Sequence, residues 1–242
     1  MIAIDTKNLT KKYKDKIAVD NLNLQVEEGE LFSLLGVNGA GKTTTIKMLS
    51  CLIKPTSGDA FMLGDSINDN SQAVKEKINV SPQETAVAYN LTVKENLETI
   101  AGIYGADKKK AEKMTDEIIE DFELAEIKNS KAKTLSGGWQ RRLSIAMALI
   151  TKPKILFLDE PTLGLDVVAR RELWNYIEKL KGKITIILTT HYLEEAEALS
   201  DRIAVMVNGK LKAVGNVDEL KAKAGKEKFE DAFIELAAKG GR

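Results

Sequence analysis

The sequence predicts an α/β protein with a mainly parallel central sheet, and three observations point there. In the second half, short apolar runs alternate with segments of helical period. Ile155–Leu158, Ile184–Thr189 and Arg202–Val207 read as strands, and a helix near Val168–Leu180 separates the first two. In the first half, the apolar run Leu31–Leu35 enters the glycine-rich stretch Gly36–Thr44, and a helix-like Lys42–Leu52 follows. All four prolines (Pro55, Pro82, Pro153 and Pro161) fall in the links, where a residue without an N–H breaks no ladder.

The remaining elements follow in order. Ile2–Leu9 and Ala18–Val26 cluster or alternate apolar residues as strands do, with Tyr13 in a polar link between them. Gly58–Leu63 follows the turn signal Pro55-Thr56-Ser57-Gly58 and reads as another strand, so the opening third is strands wrapped around one loop. From Thr92 to about Phe122 the chain is long, charged and helical in period, and Lys108-Lys109-Lys110 inside it reads as a solvated helix start or loop. Further helices run through Ile150. The tail Lys221–Arg242 is lysine-rich, then amphipathic through Phe229, Phe233, Ile234 and Leu236, as in a closing helix that frays at Gly240-Gly241-Arg242.

Composition narrows the function classes. At 242 residues the chain suits one large domain or a core with subdomains. Its 36 basic and 36 acidic residues cancel, so no overall positive field draws nucleic acid, and no nucleic-acid partner is expected. A lone cysteine, Cys51, suits a reducing cytoplasm. The start lacks the basic-then-apolar order of a secretory signal, and no uncharged apolar run nears the ~20 residues that span a bilayer. The expectation is a soluble chain, to which any membrane span is supplied by another polypeptide.

Three stretches carry chemistry. Gly36-Val37-Asn38-Gly39-Ala40-Gly41-Lys42-Thr43-Thr44 fits G-x-x-x-x-G-K-[ST] between a strand and a helix. Such a turn gathers backbone N–H groups and the positive end of a helix dipole on one spot, which suits phosphate. Gly36, Gly39 and Gly41 let the main chain curl against the ligand. Lys42 is placed to reach the β- and γ-phosphates, and the Thr43 hydroxyl to hold Mg²⁺. Second, Ile155-Leu156-Phe157-Leu158 is an apolar strand ending in Asp159, suited to Mg²⁺, and Glu160, suited to polarising a water. Third, Leu135-Ser136-Gly137-Gly138-Trp139-Gln140 opens an apolar helix, and Ser-Gly-Gly at a helix start is a second site for an anion.

In their order along the chain (Gly36–Thr44, Leu135–Gln140, Ile155–Glu160) the three stretches resemble the nucleotide-binding domain of an ABC transporter, over essentially the whole chain. The resemblance implies a P-loop NTPase with a RecA-like, mainly parallel core sheet, an antiparallel β subdomain and an α-helical signature subdomain. It divides residues 1–242 into an ATPase core with the β subdomain (about 1–83 and 153–220), a helical subdomain (about 84–152) and a C-terminal helix (about 221–242). It further implies that Tyr13 stacks on adenine, that Gln83 in Ser81-Pro82-Gln83-Glu84 touches Mg²⁺ and the attacking water, that Asp166 belongs to the D-loop, and that His191 contacts the γ-phosphate. Glu160, His191 and Gln83 become the catalytic set, and Thr43, Gln83 and Asp159 the metal set. Leu135, Ser136, Gly137 and Gly138 would act on a partner's ATP, so two chains, identical or merely related, would sandwich two MgATP head to tail. One departure stands out: the family commonly has Gln where this chain has Trp139. That position and the ending Lys228–Leu236 resemble the drug- and sodium-exporting branch. The implied function is ATP hydrolysis that drives a separate integral membrane permease from the inner face of the cell membrane. The alternative is a related ATPase that regulates or assembles a membrane complex without transport.

Overall fold

The computed structural model describes residues 1–238 and places two sheets side by side. The first is antiparallel, in the order β2-β1-β4-β5, from β1 (Ile2–Tyr13), β2 (Lys16–Glu27), β4 (Ser57–Met62) and β5 (Asp65–Ser66). The second contains β3 (Leu31–Leu35), β6 (Ile78–Ser81), β7 (Ile155–Asp159), β8 (Thr185–Thr190), β9 (Arg202–Val207) and β10 (Lys210–Gly215), in the order β10-β9-β3-β8-β7-β6. Its pairings are parallel except for β10 on β9.

Continuous apolar runs form the parallel strands because both faces of this sheet are buried. Alternate residues separate cleanly. Leu31, Leu156, Leu158, Ile186 and Leu188 face a helical layer. That layer holds α3 (Val93–Ile103), α4 (Lys108–Asp121), α5 (Gly137–Leu149) and α6 (Val167–Leu180). Phe32, Leu34, Phe157 and Ile187 face the other way, onto α1 (Lys42–Leu49) and the antiparallel sheet. A third, smaller cluster joins α7 (Leu193–Leu199), α8 (Val217–Ala224) and α9 (Phe229–Ala238) to β9 and β10.

Several elements differ from expectation. The first two strands are longer than Ile2–Leu9 and Ala18–Val26, and Tyr13 is the last residue of β1 rather than part of a link. Register shifts after Thr6 and Leu9, with Asn8 and Asn21 at positive φ, break the alternation that marks a strand. The helix after the glycine-rich loop stops at Leu49, because Cys51 turns left-handed (φ 57°) and Ser50 Oγ caps back onto Ile46 O at 2.7 Å. The long charged stretch divides into α3 and α4. Lys108-Lys109-Lys110 opens α4 behind an Asp107 cap, as a solvated helix start. The tail is two helices, parted by Gly225 (φ 66°), and Gly240-Gly241-Arg242 lie outside the described residues.

Candidate active site

The site lies where β3, β7 and β8 reach their C-terminal ends, the edge at which open parallel sheets bind ligands. Gly36 continues β3 and donates its N–H to Thr190 O at 3.3 Å. A Cβ on Gly36 would lie 2.4 Å from Met206 O, so only glycine passes there. At Gly41, the residue before α1, the backbone is left-handed (φ 102°) and a Cβ would meet Ala18 O at 2.4 Å. The loop is pinned from outside as well, by Gly209 N to Ala40 O at 3.0 Å. These constraints hold the loop in one curl, with the N-terminus of α1 facing an open cleft of about 520 Å³.

Asn38, Gly39, Ala40, Gly41, Thr43 and Thr44 line that cleft. Gly36 and Val37 stand behind it and supply carbonyls to Lys42. Its ammonium donates to Gly36 O at 2.7 Å and to Val37 O at 3.4 Å, and pairs with Glu160 Oε1 at 3.1 Å. Both side chains of the pair are nearly buried, at 6% and 7% exposure. Glu160 also occupies a left-handed backbone position (φ 48°), a strained geometry for a side chain with a Cβ. Its N–H is satisfied by Thr189 O (3.1 Å) and Thr189 Oγ1 (3.0 Å). Its Oε2 lies 2.8 Å from His191 Nδ1. The pairing suits the His191 tautomer that donates from Nδ1 to a carboxylate oxygen. His191 lines the cleft with Gln83, and Tyr13 stands at its rim with a half-exposed ring.

The Thr43 hydroxyl donates to Asp159 Oδ1 at 3.1 Å, and Thr189 Oγ1 donates to the same oxygen at 2.5 Å. A hydroxyl and a carboxylate are the hard oxygen donors that Mg²⁺ takes, alongside phosphate oxygens. Among the described residues no group of three or more His, Cys, Asp or Glu forms a protein-only metal cage. The Thr43 hydroxyl and the Asp159 carboxylate fit a cation whose other donors come from a ligand.

Leu135, Ser136, Gly137 and Gly138 do not line this cleft. Ser136 caps α5, accepting from Trp139 N at 3.4 Å, and it is exposed on another face. Trp139 packs over the Arg142 guanidinium (4.5 Å), which also stacks on Tyr176 (3.6 Å). Asp166 caps α6 through Val168 N and Ala169 N, both at 2.9 Å.

Sequence reasoning missed three contributors. Thr189 secures the Asp159–Glu160 turn, and its signal was a polar residue at the tip of an apolar strand. Lys16 lines the cleft beside Tyr13, with no distinguishing pattern. Arg141 is buried behind the site, where burial lowers its pKa to about 10 against the opposing pull of Asp159, Glu195 and Glu160. An arginine pair at the head of an otherwise apolar helix was its only signal.

A curled glycine loop, a lysine at a helix start and two carboxylates at the next strand tip define a P-loop nucleotide-binding protein. The comparisons narrow this class. The family model described as ABC transporter matches residues 19–163. A shorter match, to an AAA domain described as putative AbiEii toxin of a type IV toxin–antitoxin system, covers 132–195. The chain belongs to the ABC transporter ATP-binding family, a family of ATPases. It is 40% identical to the probable multidrug ABC transporter ATP-binding protein YbhF of Escherichia coli (strain K12), over 96% of this chain and 41% of that protein. It is 39% identical to the daunorubicin resistance ATP-binding protein DrrA3 of Streptomyces coeruleorubidus, over 98% of this chain and 76% of that one. It is 41% identical to the human phospholipid-transporting ATPase ABCA3, over 92% of this chain but only 13% of that protein. Among solved structures, an ATP-binding subunit of an ABC transporter superposes with a TM-score of 0.84 at 28% identity, covering 97% of this chain and 99% of that one. The dimeric post-hydrolysis state of the cassette MJ0796 with ADP and Pi gives 0.78 at 30% identity, covering 88% and 98%.

Proposed function

We propose that this chain hydrolyses ATP as the energy-coupling subunit of an ABC exporter, closing head to tail with a second such domain around two MgATP. The observation that carries the proposal is the disposition of Glu160. One carboxylate oxygen faces Lys42 and the other faces His191, at the mouth of a loop built for phosphate.

The residues then divide the work. Lys42 leaves Glu160 and moves onto the β- and γ-phosphates, which frees Glu160 Oε1 to polarise a water. His191 keeps its Nδ1 proton on Glu160 and turns Nε2 toward the γ-phosphate. Thr43 and Asp159, with Gln83 from the opposite wall, would hold Mg²⁺. A cation held there would supply charge that offsets the phosphate oxygens. Tyr13 offers its half-exposed ring to adenine. Leu135, Ser136, Gly137 and Gly138 cannot serve the cleft of their own chain, so they meet the nucleotide of a partner, with Asp166 nearby at the cap of α6.

The dimeric MJ0796 structures support the sandwich. In this reading a separate integral membrane permease supplies the spans, with this chain on the inner face of the cell membrane; among the described residues no helix is long and apolar enough to cross a membrane. The multidrug and daunorubicin-resistance names of the bacterial relatives support export. The test is Glu160→Gln. Phosphate release should fall by roughly 10²–10⁴ while ATP still binds, and near-normal release would remove Glu160 as the base.

A further inference from the structure

Arg141 lies one turn into α5 and is 4% exposed. A guanidinium has five N–H donors in a fixed plane, and here they make five hydrogen bonds, every one to a main-chain carbonyl. Nε donates to Pro161 O at 2.7 Å. Nη1 donates to Pro82 O at 2.5 Å and Gln83 O at 3.1 Å. Nη2 donates to Asp159 O at 2.9 Å and Glu160 O at 2.7 Å. The acceptors belong to two loops that leave neighbouring parallel strands, β6 and β7. The side chains on those loops, Gln83 and Glu160, line the nucleotide cleft, whereas the helix bearing Arg141 begins at the Ser136 cap on another face.

We infer that Arg141 is a positioning residue that clasps the Gln83 loop and the Asp159–Pro161 turn to the signature helix. A movement of α5, whose first turn carries Ser136 and the two glycines, is thereby transmitted to Gln83 and Glu160 through one planar group. Only a fork of this shape reaches both loops at once. A lysine is a point charge with three donors on a flexible stem, so it serves one loop and releases the other. Five charge-assisted bonds also hold the spacing between the loops, and a misplacement of about 1 Å costs on the order of 10²-fold in rate.

The catalytic side of this inference rests on the ATPase reading of Glu160 and Gln83; the structural side does not. The test uses Arg141→Lys and Arg141→Gln in the full chain. First, amide hydrogen exchange without nucleotide should quicken in residues 82–88 and 160–165, with β3 and β8 protected as in the parent. Second, kcat for ATP should drop about 10- to 100-fold with KM within about threefold. Third, on a Gln83→Ala background the same Arg141 substitution should cost less, because only the part that acts through Glu160 remains. Unchanged exchange in both loops overturns the clasp, as does full additivity with Gln83→Ala. If both variants fail to fold, Arg141 is only a core prop and the inference falls. A parent chain without ATP turnover would instead overturn the ATPase reading, leaving the exchange result to judge the clasp.

Discussion

The Lys42–Glu160 pair gives a prediction that needs no nucleotide. Both side chains are under a tenth exposed, so removing one partner leaves the other charge poorly solvated. Lys42→Met keeps the length and apolar stem of the side chain but strands the Glu160 carboxylate. Stranding one member of a buried pair costs about 3–5 kcal/mol. At roughly 2–4 °C per kcal/mol for a chain of this size, Tm should fall by about 6–20 °C. Adding Glu160→Gln removes the stranded charge while leaving an oxygen for His191, so the double variant should return to within about 1.5 kcal/mol of the parent. Urea unfolding in nucleotide-free buffer, followed by fluorescence of the buried Trp174, reads all four corners of the cycle. A cost for Lys42→Met below about 1 kcal/mol, or a double variant no more stable than the single, would refute the reasoning.

Two further predictions address other parts of the molecule. Glu195 is fully buried, and burial is the largest influence raising its carboxyl above the ordinary 4.5; nearby Glu160 adds to the rise, and hydrogen bonds, including that from the Trp174 indole at 3.0 Å, oppose it. The folded state then keeps this proton longer than the unfolded chain, so stability falls as pH climbs from about 4.5 to the raised value. Glu195→Gln should remove that fall, and a Tm difference from the parent that is constant between acid and neutral pH would contradict it. For Ser136→Arg, loss of the cap costs only about 0.5–2 kcal/mol, so the chain stays folded. Mixed with Lys42→Ala chains, it should recover turnover at one site, where its own Lys42 loop meets the partner's intact signature; no recovery in the mixture would defeat the sandwich.

The parallel core was readable because both its faces are buried. Ile155–Leu158 then carries no polar interruption, and Leu31–Leu35 carries only the small Ser33. β6 was not readable, since Asn79 and Ser81 break its pattern over four residues. β10 did leave a signal in Asn208-Gly209, a turn with both residues at positive φ that joins it to β9. In the site, the glycine-rich loop that lines the cleft has a fixed spacing and could be named in advance. Thr189 and Arg141 contact that site across long stretches of sequence, Arg141 through main-chain carbonyls and Thr189 through Asp159 Oδ1 and the Glu160 N–H. Only the fold brings Arg141 to Pro82 and Pro161, 59 and 20 positions away.

The central claim is that a complete ATP site needs two chains, one supplying the loop around Lys42 and the other the signature at Ser136. The most direct measurement is the molecular mass in solution of the Glu160→Gln chain, with and without saturating MgATP. Binding without turnover should convert monomer to dimer, and removing the nucleotide should reverse it. A mass that stays at one chain with the cleft filled would contradict the claim.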